Sequence, residues 1–226
     1  MSEMHATSIE AWKNIKQEIA NSCKEYQRSL DSVELIAVSK TVPADKIIPL
    51  LQAGQSCFAE NRVQEAAEKW PYLRQQFSPI ELHLIGPLQS NKTAEAVKIF
   101  DVIQTVDREK IAKSLSEEMH KQKKHFPCYV QVNIGLEPQK SGLAPEDVVD
   151  FVAHCKNHYG LDIVGLMAIP PIEDNPGPYF ALLAKLAKKS GLTKLSMGMS
   201  NDFQTALQFG SNVLRIGSAL FGQRPS

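Results

Sequence analysis

Three stretches of the sequence carry polar residues where an apolar run should continue or end quietly. In "ELIAVSKTVP" (34–43) the residues Leu35 to Val38 read as a strand buried on both faces, yet the run closes on Ser39-Lys40. Hiding a charge there is costly, but an amine at an apolar rim sheds its proton at modest cost, and a neutral amine is what condensation with an aldehyde requires. Its plain alternative is a lysine whose stem lies on apolar surface and whose ammonium reaches water. In "NVLRIGSALFG" (212–222) Arg215 breaks an apolar run. A guanidinium stays protonated and needs a partner, either a core carboxylate or an acceptor such as a ring nitrogen of a ligand. In "SMGMSND" (196–202) Ser200 is placed to cap a helix beginning near Asp202. A helix N-terminus with a hydroxyl and a nearby glycine can hold an anion, and Gly217-Ser218 offers further N–H groups and a second hydroxyl.

An amine for an aldehyde, a cradle for a phosphate and a buried cation for a ring nitrogen together suggest pyridoxal phosphate. The elements around these residues are consistent with that chemistry. After an N-terminal helix over about residues 7–28, strand-like and helix-like segments alternate to the end. The strands are "VELIAVS", "SCFA", "LHLIG", "DVIQTV", "CYVQVNI", "IVGLMAI", "KLSMG" and "VLRIG". Eight such units in 226 residues predict a single (β/α)8 barrel domain of the TIM type over residues 1–226, with a doubly wound open sheet as the competing fold. Reactive groups of such barrels collect where strands end, and phosphates commonly sit after strands seven and eight. That rule would put Lys40, Ser200 and Gly217-Ser218 around one mouth, joined by Glu60-Asn61 after strand two. Gly86-Pro87 would turn the chain after strand three, leaving Gln89, Asn91 and Lys92 at the rim. His83, inside strand three, reads as a hydrogen-bonded core residue.

The remaining signals exclude more than they add. Basic and acidic residues balance at 25 each, which gives no electrostatic case for nucleic-acid binding. "KQKK" (121–124) reads as a solvated helix end. No apolar stretch approaches the ~20 residues of a membrane helix, and the polar start of the chain lacks a signal core. Cys23, Cys57, Cys128 and Cys155 form no paired motif and read as reduced thiols, with Cys57 and Cys128 in the core, implying a soluble cytoplasmic protein. "HCKNH" sets His154 and His158 one helical turn apart but lacks the glutamate of a zinc motif and a third ligand, so no metal site is predicted. "IPPIEDNPGPY" (169–179) reads as an elaborated surface loop.

Six segments, "AVSKTVP", "AENRVQE", "HLIGPLQSNK", "GLMAIPP", "SMGMSND" and "VLRIGSALFG", occur in the order and spacing of the YggS/PROSC family of pyridoxal phosphate homeostasis proteins, and the resemblance spans residues 33–224. That family is similar to the N-terminal barrel of alanine racemase, a fold type III pyridoxal-phosphate barrel. The resemblance implies that Lys40 carries the cofactor as an internal aldimine and that Ser200 with Gly217 and Ser218 holds the phosphate. It further implies that Arg215 faces the pyridine nitrogen and that Asn61 lies near the ring. Ala59, Leu82, Asn201 and Ser218 depart from the usual glycine, aromatic, aspartate and threonine; the hydroxyl survives at Ser218.

The resemblance also implies a function. A cation opposite the ring nitrogen weakens the ring as an electron sink, and racemisation by proton transfer on two faces needs a second acid or base. In alanine racemase that group is a tyrosine from a further domain. The sequence ends at "FGQRPS", and none of Tyr26, Tyr72, Tyr129, Tyr159 and Tyr179 occupies a matched position. The expectation is a monomeric, non-catalytic binder that buffers pyridoxal phosphate or delivers it transiently to apo-enzymes. The alternative is a small racemase or lyase acting on amino acids.

Overall fold

The computed structural model describes residues 3–222, with side chains from residue 8 onward; the final "QRPS", on which the expectation about the chain's end partly falls, lies outside the described residues. Eight parallel strands pair in chain order and close into a barrel. They are β1 (Glu34–Val38), β2 (Cys57–Glu60), β3 (Glu81–Leu84), β4 (Val102–Val106), β5 (Cys128–Val132), β6 (Ile163–Ala168), β7 (Lys194–Ser196) and β8 (Val213–Ile216). All eight predicted strands are present; most end before their runs do, because residues such as Ser39, Gly86 and Gly217 leave the ladder to form the rim, whereas β2 runs one residue beyond its predicted end. The open-sheet alternative is thereby excluded.

The helices wrap the outside: α1 (Glu3–Glu25) leads, and α2 (Ala44–Gln52), α3 (Val63–Gln76), α4 (Thr93–Ile99), α5 (Glu109–Lys121), α6 (Val148–Asn157), α7 (Pro176–Lys189), α8 (Phe203–Gln208) and α9 (Ser218–Phe221) follow the strands. Trp12, Ile15, Ile19 and Cys23 form one buried stripe of α1 at helical spacing, and this stripe packs α1 onto α2, α8 and α9.

The period-two alternation of the strands separates two cores. Ile36, Val38, Cys57, Ala59, Val102, Tyr129, Met167 and Val213 fill the barrel. The opposite faces, such as Ala37, Phe58, Leu82 and Leu214, pack beneath the helices in a second cluster. Residues of like parity therefore share a side: Lys40 continues the inward series of Ile36 and Val38, and Arg215 that of Val213.

Two departures from expectation have a local cause. The proline-rich segment is a loop only to residue 175, because Asn175 caps α7 by accepting from the Gly177 N–H at 3.0 Å and Pro176 takes the first helical position. Of "KQKK", Lys121 ends α5, while Lys124 Nζ donates to the carbonyls of Val97 (3.0 Å) and Lys98 (2.8 Å) near the C-terminus of α4, a site suited to a cation.

Candidate functional site

A cavity of about 500 Å³ opens at the C-terminal ends of the strands, and Lys40, Asn61, Ser200, Arg215, Gly217 and Ser218 all line it. The six positions come from four segments that are distant in sequence, and barrel closure brings them together.

The loop that presents Lys40 is held from below. Thr41 adopts φ +61°, a left-handed conformation that a β-branched residue reaches only under strain of ~1–3 kcal/mol. Its N–H donates to Glu65 Oε1 at 2.6 Å. Lys69 Nζ donates to the carbonyls of Ser39 and Val42, both at 2.9 Å, and pairs with Glu60 at 2.8 Å. Glu60 Oε1 also accepts from the Ser39 hydroxyl (2.8 Å) and from Trp70 Nε1 (3.0 Å). Glu60 was expected at the mouth beside Asn61. It instead faces outward beneath α3, completely buried, because parity sends the last residue of β2 to the helix side. Burial pushes its carboxyl above the ordinary value, against the opposing pull of Lys69.

Asn61 reaches the cavity because Gly86 lets the two chains meet: a Cβ at Gly86 would fall 2.0 Å from the Asn61 carbonyl oxygen. Beyond Gly86 and Pro87, the expected rim residues Gln89, Asn91 and Lys92 do not line the cavity; they turn into a short 3-10 helix, and Lys92 pairs with Glu95 at 3.3 Å.

Ser200 does not cap α8. Asp202 occupies the cap position, and its carboxylate turns back to accept from the Met199 N–H at 2.6 Å. Ser200 Oγ is thus released toward the next segment, where it lies 3.2 Å from Ser218 Oγ and accepts from the Ala219 N–H at 3.3 Å. Ser218 is the first residue of α9, so two hydroxyls and the opening turn of a helix meet at one side of the cavity.

Arg215 lies at the cavity's inner end, 3% exposed. Of the partners weighed from the sequence, a core carboxylate is not among its hydrogen-bond acceptors. One nitrogen donates to Ser196 Oγ at 2.6 Å and another to the Ala168 carbonyl at 2.9 Å. Burial lowers its pKa to about 10, with Asp202 and Tyr129 acting in the opposite sense, so it is a cation at neutral pH. Ser196 in turn donates to Gln104 Oε1 (2.6 Å), and the Gln104 amide meets His83 Nδ1 at 2.8 Å. Arginine can only donate, so it sets the direction of this line: Ser196 passes its proton to Gln104, the Gln104 N–H points at Nδ1, and His83 carries its hydrogen on Nε2. His83 is a hydrogen-bonded core residue, as its place in β3 implies.

Sequence reasoning missed Lys140, a second amine on the cavity wall. It pairs with Glu137 and donates to the Pro170 carbonyl at 3.2 Å. No strand-end rule finds it, because it arrives on the loop between β5 and α6. His154 and His158 do not converge on a common point: their rings stack at 4.8 Å, 16° from parallel. The four cysteines are free and buried.

This arrangement defines a class, the parallel barrel with a lysine at the end of its first strand and an anion cradle after its last two. The sequence profile of the alanine racemase N-terminal domain matches residues 16–225. The pyridoxal phosphate homeostasis protein of Haemophilus influenzae is 41% identical over 93% of this chain and 93% of its own. Among solved structures, a protein of Bifidobacterium adolescentis superposes with a TM-score of 0.92 at 26% identity, over 98% of this chain and 97% of its own. PipY of Synechococcus elongatus, solved with pyridoxal phosphate bound, superposes at 0.78 with 36% identity, over 90% of this chain and 100% of its own. The chain belongs to the family of pyridoxal phosphate homeostasis proteins.

Proposed function

We propose that this protein binds pyridoxal phosphate in the barrel mouth and serves the cofactor's homeostasis as a monomeric, non-catalytic carrier in the cytoplasm, passing it transiently to apo-enzymes. The observation that carries the reading is the convergence of Lys40, the Ser200–Ser218 hydroxyl pair and the buried Arg215 guanidinium on one cavity of about 500 Å³, a volume ordinary for a small-ligand site. The donors present fit the group: an amine for its aldehyde, the Ser200 and Ser218 hydroxyls for its phosphate, and a cation for its ring nitrogen. When bound, pyridoxal phosphate supplies an electrophilic aldehyde conjugated to an electron-accepting ring.

In this reading Lys40 holds the aldehyde carbon, Asn61 rests beside the ring, and Ser200 with Gly217 and Ser218 grips the phosphate. Arg215, already charged, disfavours protonation of the ring nitrogen and so weakens electron withdrawal from anything attached at the aldehyde. The titratable side chains on the cavity wall, among the described residues, are Lys40, Lys140 and Arg215. Arg215 is donor-only, and Lys140 is engaged with Glu137. This set suits retention of the cofactor better than two-sided proton transfer.

Leu136 (60% exposed) and Ile172 (88% exposed) stand on the loops after β5 and β6 beside the opening, where an apo-enzyme could touch them. Buried free cysteines agree with a reducing compartment, and no helix among the described residues is long and apolar enough to cross a membrane.

Absorbance of the purified protein with pyridoxal phosphate, before and after borohydride, followed by peptide mapping, tests the assignment. A pyridoxyl group should be fixed on the peptide containing Lys40. Full labelling that survives Lys40→Ala would sink it.

A further inference from the structure

The opposite end of the barrel holds a second cluster of reactive groups, joined to the cavity by the hydrogen-bonded line Arg215–Ser196–Gln104–His83. Glu34, Cys57 and Glu81 are the first residues of β1, β2 and β3, and His83 is two residues further along β3. All four share the inward parity of Ile36 and Ala59, so closure of three adjacent strands aims a thiol, an imidazole and two carboxylates at one point. Their ligand atoms lie within 4.8 Å of one another. We propose that this cluster is a transition-metal site, with Zn2+ as its natural occupant.

Three observations carry the assignment. The first is chemical: a thiol and an imidazole beside carboxylates are the mixed donors that zinc accepts and that magnesium and calcium do not select. The second is geometric. A tetrahedral zinc with ordinary bond lengths sets sulfur–nitrogen and sulfur–oxygen edges of about 3.6 Å and nitrogen–oxygen edges of about 3.4 Å. Here Cys57 Sγ lies 3.4 Å from His83 Nε2 and 4.0 Å from Glu81 Oε1, and His83 Nε2 lies 2.7 Å from Glu81 Oε1. Shifts of well under 1 Å convert one set into the other.

The third is the support behind the histidine. His83 is 1% exposed, and the completely buried Gln104 amide lies 2.8 Å from its other ring nitrogen, where a turned amide would supply the outer acceptor that metal-bound histidines almost always have. Glu34 and Glu81 keep access to solvent, giving an ion a way in.

Loading requires two proton moves. The Cys57 thiol releases its proton to solvent, and the His83 hydrogen leaves Nε2 for Nδ1. Gln104 then turns its amide so that its oxygen accepts from Nδ1 and its nitrogen donates to Ser196, whose oxygen can accept from both Gln104 and Arg215. The competing arrangement is a metal-free plug in which the Lys194 ammonium, which acts electrostatically on both Glu34 and Glu81, offsets their charge.

Titration of the purified protein with Co2+ distinguishes the two. A metal site gives one ion per chain, with four-coordinate d–d bands at longer wavelength than pyridoxal phosphate absorbs. Cys57→Ser should remove the thiolate contribution and weaken Zn2+, measured by competition with a chromophoric chelator, by more than about a hundredfold. Should Cys57→Ser fail to fold, Glu81→Gln at the half-exposed strand start supplies the comparison and should weaken Zn2+ at least about tenfold. Absence of stoichiometric binding, or a cobalt spectrum and Zn2+ affinity unchanged in the folded variant, overturns the proposal.

Discussion

Ser39 donates its hydroxyl to Glu60 at 2.8 Å, which ties the residue immediately before Lys40 to the end of the neighbouring strand. The same carboxylate receives Lys69 and Trp70, so the position of the candidate amine is set by a buried ion pair on the far side of the sheet. Lys69 and Glu60 are 7% and 0% exposed as side chains. Removing the cation while leaving the anion should cost ~3–5 kcal/mol. Lys69→Met is expected to lower the urea midpoint accordingly and to loosen the 39–42 loop; an unchanged midpoint would show that the pair contributes nothing.

The same glutamate predicts a pH dependence. Burial raises the Glu60 carboxyl above its ordinary 4.5 in the folded protein. Across the window that opens at that value, the folded chain therefore binds more protons than the unfolded chain. The contribution of this group to stability then declines as pH rises through the window. One Glu60 oxygen, Oε2, is buried without a hydrogen-bond partner, in keeping with a site that accepts a proton. Denaturation midpoints measured from mildly acidic to neutral pH should fall less steeply in Glu60→Gln than in the unaltered protein, and equal slopes would contradict the assignment.

Ser200 offers a test of the phosphate cradle. Its hydroxyl, released from helix capping by Asp202, meets Ser218 and the Ala219 N–H. A hydrogen bond to a charged partner contributes ~1.5–3 kcal/mol, so Ser200→Ala should weaken pyridoxal phosphate by roughly tenfold to a hundredfold. Pyridoxal, which lacks the phosphate, should be little affected. An equal loss for both ligands would make Ser200 a structural residue only.

Racemisation provides the test of the carrier reading. Lys40 can serve one face of a bound amino acid, and the second amine, Lys140, is held by Glu137 and the Pro170 carbonyl. A positioned acid or base contributes typically ~10²–10⁴-fold. Incubation with L-alanine in deuterated water should therefore give slow α-proton exchange and little D-isomer. Efficient formation of the D-isomer, lost in Lys140→Ala, would identify Lys140 as the second base and establish an enzyme.

The sequence by itself determined the barrel, since eight apolar runs alternating with helical patterns admit few other closures. It also determined which side of the barrel Lys40 and Arg215 take. Ile36, Val38 and Lys40 lie two apart, as do Val213 and Arg215, and period-two geometry fixes their side before any packing is known. Local pattern misled where a side chain had two partners within reach. Ser200 looks like a cap until Asp202 takes the Met199 N–H, and Glu60 looks like a mouth residue until β2 runs one position further than "SCFA". Only the tertiary structure brought Lys140 onto the cavity wall, because its place depends on how a loop folds back to Pro170. Only the pairing of β1 with β2 and of β2 with β3 joined Glu34, Cys57, Glu81 and His83. They lie on three strands with whole helices between the strands, and no local preference encodes a distance that depends on the register of strand against strand.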